Sequence, residues 1–238
     1  MTSTWIKICG ITQTDDAVAV ALSGAGAIGL NFFPKSRRFV DIHTAERISR
    51  EIAGRVECVG VFVNVDVADV VRTVQTVGLT GVQFHGDETL EYLQQCRREL
   101  PTIDLIRAFR LSRERVTDVA AQLGEIVAAD IPLKAVLLDT FVSGEFGGTG
   151  LSMDLTLPDD LRQRVKSQLP ASVHFPPVVL AGGLTAENVS AAIQRVQPWG
   201  VDTAGGVESS AGVKDHDKIR DFVTQVRSTE RGDDTSPS

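Results

Sequence analysis

Residues 178–206 give the clearest signal of the fold and read VVLAGGLTAENVSAAIQRVQPWGVDTAGG. It begins with a short apolar run, turns at the glycine pair 182–183, and continues into a segment with apolar residues at helical spacing. A second apolar run, 200–203, follows and leads into the glycine pair 205–206. Short apolar strands that alternate with helices are typical of a parallel sheet covered by helices on its faces.

The same strand-then-helix pattern repeats along the chain and predicts eight such units. Eight such units in 238 residues predict an α/β protein that forms a single-domain (β/α)8 TIM barrel. An open doubly wound sheet is the competing architecture, but the regular repetition favours closure. We predict that residues 1–227 form the barrel and that the polar residues 228–238, which lack periodicity, form a disordered tail. The predicted strands are 5–9, 28–32, 59–63, 81–84, 105–109, 135–138, 178–181 and 200–203, and the predicted helices are 15–23, 44–53, 67–77, 88–99, 113–123, 155–169, 186–196 and 217–226.

Composition and charge narrow the functional classes. The chain is 42% hydrophobic and 23% charged, which is ample for a packed core and excludes a collagen-like or wholly disordered protein. Its net charge of −7 argues against nucleic acid or an anionic membrane as a partner, although a local site for a small anion is compatible with it. No apolar run approaches the roughly 18 residues of a membrane-spanning helix, and the N-terminal residues lack the pattern of a secretory signal.

The cysteines and histidines give no metal signature. Cys9, Cys58 and Cys96 show no C-x-x-C spacing, and the four histidines are scattered, so we predict no metal site. Unpaired cysteines are typical of a reducing compartment. Together with the missing secretory pattern, they predict a cytoplasmic protein.

In a (β/α)8 barrel the active-site residues gather at the carboxyl ends of the strands, which makes Cys9 and Asp139 the first candidates. A cysteine in an apolar strand is usually inert core filler, but Cys9 ends its strand before Gly10 and could expose its thiol. A thiolate there can accept a proton if nearby cations favour it. Asp139 directly follows the sixth predicted strand. It could be a simple loop cap, yet a carboxyl at a dry barrel mouth suits a general acid.

The loops after the last two predicted strands carry residues with little or no side chain: Gly182 and Gly183 after the seventh, and Ala204, Gly205 and Gly206 after the eighth. Such residues allow backbone N–H groups to approach a ligand closely, and barrels often bind a phosphate at this place. Each loop alone could be an ordinary tight turn. Two such loops on adjacent units favour a phosphate site.

Other polar residues lie after the second predicted strand and at the end of the fourth. Arg38 could clamp a planar carboxylate through two hydrogen bonds, a geometry that lysine cannot reproduce. Gln83 and His85 face the same predicted mouth, although a lone histidine there is more often a hydrogen-bonded spacer than a catalyst. The glycine-rich segment 141–152 predicts a mobile loop that covers the mouth and excludes water.

A series of short motifs runs in order along the chain: KICGIT (7–12), FFPKSRRFV (32–40), VGVFVN (59–64), VQFHGDE (82–88), LLDT (137–140), GGTG (147–150), LAGGLTAENV (180–189), GVDTAGGVE (200–208) and GVKD (212–215). Together these motifs closely resemble the phosphoribosylanthranilate isomerase family. The resemblance implies a (β/α)8-barrel enzyme of tryptophan biosynthesis that works without a cofactor. Such an enzyme converts N-(5-phosphoribosyl)anthranilate to 1-(2-carboxyphenylamino)-1-deoxyribulose 5-phosphate by an Amadori rearrangement.

The resemblance also implies a role for each main candidate. Cys9 matches the general base of the family, and Asp139 matches its general acid. Arg38 matches the residue that holds the anthranilate carboxylate, and the two glycine loops match the phosphate-binding turns. The implied partner is a small phosphorylated substrate, with the chain acting as a monomer or a homodimer.

The chain departs from the family pattern at two places. The family usually carries Ser-Ser where Ala204 and Gly205 stand here, which removes two hydroxyl groups that could contact a phosphate. It tends to carry Phe-Asp-Trp where residues 153–155 read Met-Asp-Leu. Neither departure involves Cys9 or Asp139.

Three other interpretations are weighed against this one. A ribulose-phosphate 3-epimerase would need metal ligands at the strand ends, and an indole-glycerol-phosphate synthase would show catalytic lysine and glutamate residues at several of them. Neither set is apparent in the sequence. A non-catalytic protein that binds a phosphoribosyl ligand would need neither Cys9 nor Asp139, whose presence therefore favours an enzyme.

Overall fold

The computed structural model describes residues 3–140, 154–170 and 174–232, and in these ranges the strands of one sheet alternate with α-helices. The strands of this sheet are Trp5–Cys9 (β1), Ala27–Asn31 (β2), Glu57–Phe62 (β3), Gly81–Phe84 (β4), Asp104–Arg110 (β5), Ala135–Asp139 (β6), Val178–Ala181 (β7) and Gly200–Thr203 (β8). The helices are Thr14–Ser23 (α1), Ile42–Glu51 (α2), Val67–Val77 (α3), Leu90–Glu99 (α4), Val116–Ala128 (α5), Leu157–Gln168 (α6), Val189–Val196 (α7) and His216–Gly232 (α8).

The strands β1 to β8 form one closed parallel barrel in chain order, because β8 pairs back to β1. The closing register places Lys7 opposite Asp202 and Ile8 opposite Thr203. The prediction of a single-domain (β/α)8 barrel is therefore confirmed. The open doubly wound sheet is excluded, since every strand of the described barrel has a neighbour on both sides.

Alternation along each strand divides the side chains between an outer and an inner set. Ile8 belongs to the outer set, which packs beneath the helices. Lys7 pairs in register with Ala27, which faces the interior, and Cys9 lies two residues further along β1. Lys7 and Cys9 therefore share the inner face of the barrel. The inner apolar set is entirely aliphatic and consists of Ala27, Val59, Ile106, Ala108, Ala135, Leu137, Val179 and Ala181.

The amino-terminal end of the barrel is closed by an aromatic pair and a cluster of ions. The rings of Trp5 and Trp199 stack with their centroids 5.3 Å apart. Lys134 Nζ lies 2.6 Å from Glu57 Oε1 and 2.7 Å from Asp104 Oδ2. The same ammonium lies 5.5 Å from the centre of the Trp5 ring, within reach of a cation–π interaction. These contacts leave the carboxyl-terminal mouth as the end that is built to admit a ligand.

The structure after β8 differs from the sequence prediction. A 3-10 turn, Gly205–Val207, and an antiparallel pair, Glu208–Ser210 (β9) and Val213–Lys214 (β10), follow β8. These elements are too short for any periodic pattern to predict them. The last helix, α8, continues to Gly232, past the predicted end of the barrel at residue 227. The predicted cover loop 141–152 and residues 233–238 of the predicted tail lie outside the described residues.

Candidate active site

The carboxyl-terminal mouth of the barrel brings together four side chains that the sequence predicts as site residues. Cys9 and Asp139 are the last residues of β1 and β6, Gln83 lies in β4, and His85 follows β4. Leu137 faces the interior, so Asp139, two residues further along β6, does so as well. Cys9 and Asp139 are both half-buried. Each can therefore meet a ligand in the mouth while the barrel wall holds its backbone.

Cys9 is next to a buried lysine. Lys7 is fully buried, and its Nζ lies 2.8 Å from Oδ1 of Asp202 on β8. A Cβ atom on Gly29 would lie 2.7 Å from Cys9 Sγ and 3.0 Å from Lys7 Nζ, so the sulfur and the ammonium occupy neighbouring space. Burial alone would lower the pKa of Lys7, but Asp202 and Cys9 outweigh it and hold that pKa above its usual value. Lys7 is therefore a cation beside the candidate base.

Arg38 binds a carboxylate of the protein itself. Its Nε and Nη2 donate to Oε1 and Oε2 of Glu208, both at 2.7 Å. Lys214 Nζ lies 3.1 Å from the same carboxylate and donates to the Ala204 carbonyl at 2.9 Å. Burial acts to raise the pKa of Glu208, but the hydrogen bond from Arg38 and the charge of Lys214 hold it below its usual range. Because a guanidinium has five N–H groups, the edge of Arg38 opposite Glu208 keeps donors for a second carboxylate.

His85 lies beside Asp139, with 4.0 Å between His85 Nε2 and Asp139 Oδ2. Burial, together with nearby positive charges led by Arg110, lowers the pKa of His85 to about 4. The imidazole is therefore uncharged at neutral pH. Arg110 ends β5 in register with Asp139 and adds a positive charge to this side of the mouth.

Two buried polar atoms in the mouth suit a ligand. Gln83 is buried in β4, and its Oε1 has no hydrogen-bond partner among the described residues. His85 Nε2 likewise makes no hydrogen bond within residues 3–140, 154–170 and 174–232. An unpaired buried polar atom costs about 1–3 kcal/mol. Both atoms therefore favour a molecule that supplies the missing partner.

The loops after β7 and β8 are in direct contact. Gly182 and Gly183 have φ angles of 107° and 74°, a left-handed conformation that favours glycine. A Cβ atom on Gly206 would lie 1.9 Å from the carbonyl oxygen of Leu184, so the second loop approaches the first only because residue 206 is glycine. Thr203 Oγ1 donates to the same carbonyl at 2.7 Å. The two predicted phosphate loops thus form one continuous backbone surface.

Other reactive groups are inert or absent in the part of the chain that the structure describes. Cys58 and Cys96 are buried, and burial raises their pKa values to about 12 and about 11. No group of three or more histidine, cysteine, aspartate or glutamate side chains among the described residues could hold a metal ion. None of the described helices is both long enough and apolar enough to cross a membrane.

Sequence reasoning missed four charged residues of the mouth. One of them had a usable signal, because a lysine two residues before Cys9 in an apolar strand must share its inner face. The ion pairs had no usable signal in the sequence, since Lys7 and Asp202 are 195 residues apart and Arg38 and Glu208 are 170 apart. The missed residues are Lys7, Asp202, Glu208 and Lys214.

The fold and this mouth define a (β/α)8-barrel enzyme whose strand ends combine a thiol, a carboxyl, several cations and two glycine-rich backbone loops. A family model described as N-(5'-phosphoribosyl)anthranilate (PRA) isomerase matches residues 6–225. The chain belongs to this isomerase family.

Individual relatives agree with the family model. The N-(5'-phosphoribosyl)anthranilate isomerase of Pseudomonas paraeruginosa is 44% identical over 227 residues, which are 95% of this chain and 96% of the relative. The crystal structure of phosphoribosyl anthranilate isomerase from Thermotoga maritima has a TM-score of 0.78 and 38% identity, covering 94% of this chain and 99% of that one. A phosphoribosyl anthranilate isomerase in complex with reduced 1-(o-carboxyphenylamino)-1-deoxyribulose 5-phosphate has a TM-score of 0.75 and 36% identity, with the same two coverages.

Proposed function

We propose that this chain catalyses the Amadori rearrangement of N-(5'-phosphoribosyl)anthranilate to 1-(2-carboxyphenylamino)-1-deoxyribulose 5-phosphate, a step of tryptophan biosynthesis. Family membership supports the substrate, and one related structure holds a reduced form of the product. The observation that carries the proposal is that Cys9 and Asp139 end β1 and β6 on the inner face of one barrel mouth.

The reaction needs an acid and a base acting on one sugar. Asp139 donates a proton to the ring oxygen as the C1′–O bond breaks and the nitrogen lone pair forms an iminium. The Cys9 thiolate then removes the C2′ proton, and the C–H electron pair forms a C1′–C2′ double bond while the iminium electrons return to nitrogen. The resulting enolamine gains a proton at C1′ and loses the proton of its C2′ hydroxyl, which gives the ketone. All hydrogens move as protons, so the reaction as proposed needs no cofactor.

The imidazole beside Asp139 adds no positive charge to the acid. A positively charged imidazole 4.0 Å away would stabilise the carboxylate and oppose protonation. The pKa of His85 is lowered to about 4 by burial, so this imidazole is neutral where the enzyme works. His85 and Gln83 then serve as uncharged groups that bind and orient the substrate between the acid and the base.

The two anionic groups of the substrate act as handles that orient the sugar. We assign the phosphate to the backbone groups of Gly182 and Gly183 after β7 and of residues 204–206 after β8, whose contact forms one surface. We assign the anthranilate carboxylate to Arg38. Its bidentate contact with Glu208 uses one edge of the guanidinium and fixes the orientation of the other edge.

The remaining expectations concern partners and location. The net charge of −7 argues against nucleic acid or an anionic membrane as a partner, and it is compatible with a local site for a small phosphorylated molecule. A Thermotoga maritima relative is described as dimeric, so we expect either a monomer or a homodimer. Cys9, Cys58 and Cys96 are free thiols, which supports the reducing cytoplasm as the site of action.

The proposal is tested by following the loss of phosphoribosylanthranilate fluorescence with limiting amounts of the protein. We expect catalysed decay and a product of unchanged mass whose new ketone is reduced by borohydride. Cys58→Ala is a matched control, because it removes a buried thiol away from the mouth, and it should keep the parental rate. Binding of the product without any turnover would instead identify a non-catalytic phosphoribosyl-binding protein and would overturn the proposal.

A further inference from the structure

Lys7 places a charge inside a barrel whose inner face is lined mostly by aliphatic side chains. It is fully buried, and a buried ammonium is costly unless it is paired. Asp202 supplies the pairing at 2.8 Å. The proton transfers proposed above use neither residue, and two apolar residues of similar volume would often be at least as stable. The ion pair therefore calls for an explanation other than stability.

The ammonium of Lys7 and the sulfur of Cys9 occupy the same small space. Gly29 pairs in register with Cys9 on the neighbouring strand β2. A Cβ atom on Gly29 would lie 2.7 Å from Cys9 Sγ and 3.0 Å from Lys7 Nζ, closer than side chains pack. Glycine at this position thus leaves the room in which the ammonium approaches the sulfur.

The formal charges around Cys9 leave one positive charge unmatched. Three cations, Lys7, Arg38 and Lys214, interact electrostatically with the sulfur. The two carboxylates that bind these cations, Asp202 on β8 and Glu208 at the start of β9, balance two of these charges. A thiolate at Cys9 makes the whole group neutral, whereas a thiol leaves a surplus positive charge in a partly buried place.

We propose that Lys7, held by Asp202, is a positioning residue that orients the Cys9 sulfur and stabilises it as a thiolate ready to accept the substrate proton. The acceptance of the substrate proton rests on the proposed function, whereas the effect of Lys7 on the Cys9 sulfur is independent of any substrate. Lys7 is fully buried and acts through Cys9, so it is not itself a catalytic residue.

The charged groups that face the sulfur come from several elements. Lys7 lies on β1, Asp202 on β8, Arg38 between β2 and α2, and Glu208 and Lys214 on β9 and β10. The hydrogen bond to Glu208 raises the pKa of Arg38, and Asp202 outweighs burial to raise the pKa of Lys7, so both stay charged through the neutral range. Burial lowers the pKa of Lys214, which Glu208 opposes.

Alkylation by iodoacetamide tests the effect on the sulfur without substrate, because the thiolate is the reactive form. In Lys7→Met we expect the alkylation rate of Cys9 at neutral pH to fall about 10- to 100-fold, as for loss of a hydrogen bond to a charged group. The parental rate should return only at higher pH. Peptide mass spectrometry separates Cys9 from the buried Cys58 and Cys96. Unchanged reactivity and an unchanged pH profile would overturn the proposal.

Steady-state kinetics supply a second measurement. Because Lys7 acts through the base and does not touch the substrate, Lys7→Met should lower kcat by about the same 10- to 100-fold and leave KM unchanged. A raised KM with an unchanged kcat would assign Lys7 to substrate binding and overturn the proposal. If the unmodified chain has no isomerase activity, the proposed function fails, while the alkylation rate still decides the role of Lys7.

A double variant separates positioning from mere stability. Lys7→Met leaves the Asp202 carboxylate buried and unpaired, so we expect it to lower the unfolding midpoint. Lys7→Met combined with Asp202→Asn removes both charges and should restore that midpoint. We expect the double variant to keep the low alkylation rate and low kcat. If the double variant regains the parental alkylation rate and kcat together with its stability, the ion pair is purely structural and the proposal is overturned. Lys134→Met is the matched control, since it removes a paired lysine at the opposite end and should leave kcat and Cys9 alkylation unchanged.

Discussion

The two ends of the barrel each hold a lysine bound to carboxylate groups, but the two clusters differ in the balance of their charges. At the amino-terminal end, Lys134 is shared by Glu57 and Asp104 at 2.6 and 2.7 Å. These two carboxylates are about a third to a half exposed, so water can balance their surplus charge. At the carboxyl-terminal end, Lys7 is bound to Asp202 at 2.8 Å and is completely enclosed.

The balance of charges distinguishes a structural ion cluster from a reactive one in the same molecule. The amino-terminal cluster has more carboxylates than cations and stacks against a tryptophan ring, which takes up no charge. The cluster beside Cys9 has three cations, Lys7, Arg38 and Lys214, for the two carboxylates that bind them. These cations interact electrostatically with the thiol, which can become negative. A surplus of one sign around a group that can take the opposite sign favours chemistry at that group.

Removal of the acid or the base, both at the carboxyl-terminal mouth, should have the largest effect on activity. We expect Cys9→Ala and Asp139→Asn each to lower kcat by about 10²- to 10⁴-fold, because each group transfers a proton. Both residues are half-buried at strand ends, so the circular dichroism spectrum should not change. The loss of substrate fluorescence measures the rates. Turnover near that of the parent in either variant would contradict the assigned roles.

A smaller effect is expected at the carboxylate handle. Arg38→Lys keeps the charge but loses the planar fork, so we expect KM to rise by about 10- to 100-fold with a smaller change in kcat. Arg50→Lys is a matched control, because Arg50 binds Glu46 on the surface with its side chain 76% exposed. Equal KM values for the two variants would show that Arg38 does not hold the substrate.

Packing of the backbone also differs between the ends. Gly206→Ala at the mouth places a methyl group 1.9 Å from the Leu184 carbonyl oxygen, and we expect it to lower the free energy of unfolding by about 3 kcal/mol. Gly81→Ala at the start of β4 meets its neighbours Asp104 and Val59 at 3.4 Å and should change stability little. Urea unfolding measures both. Inhibition by inorganic phosphate should weaken only in the mouth variant, and equal inhibition would argue against a phosphate site there.

The smallest expected effect concerns acid stability. His85 has a pKa of about 4 in the folded protein, and the unfolded value is about 6.5. Near pH 5 the unfolded chain therefore binds a proton that the folded chain does not, which lowers stability by about 2 kcal/mol relative to pH 8. The His85→Gln variant should not show this loss of stability between pH 8 and pH 5. Urea unfolding at the two pH values tests it, and parallel losses in both proteins would show that His85 titrates normally when folded.

The sequence predicted those elements whose limits are marked by local residues. The bounds of β1, β4, β7 and β8 agree with the prediction. β1 and β7 end before a glycine, β4 ends before a histidine, and β8 ends in a threonine. The predicted start of α4, at residue 88, was two residues too early, since the helix begins at Leu90. Thr89 caps this helix by accepting a hydrogen bond from the Tyr92 N–H, while Glu88 leaves the helix to bind Arg107 at 2.8 Å. A partner 19 residues away decided that boundary, which no local pattern can show.

The same distinction applies to the candidate site. The positions of Cys9 and Asp139 in the mouth could be predicted because strand ends are visible in the sequence. Their roles remain predictions. The contact between Arg38 and Glu208 could not be predicted, because it joins residues 170 positions apart and depends on the closing register of the barrel. Local patterns show which residues reach the mouth, and long-range pairing decides which of them meet.

Lys7 and Asp202 are register partners on the first and the last strand of the barrel, and their ion pair crosses the seam where the barrel closes. During synthesis, the first strand therefore leaves the ribosome long before its partner exists. The thiol at its end acquires an ionic neighbourhood only when β8 docks. Its reactivity should consequently report the completion of folding, and a fragment without β8 should regain that reactivity only on joining the missing piece.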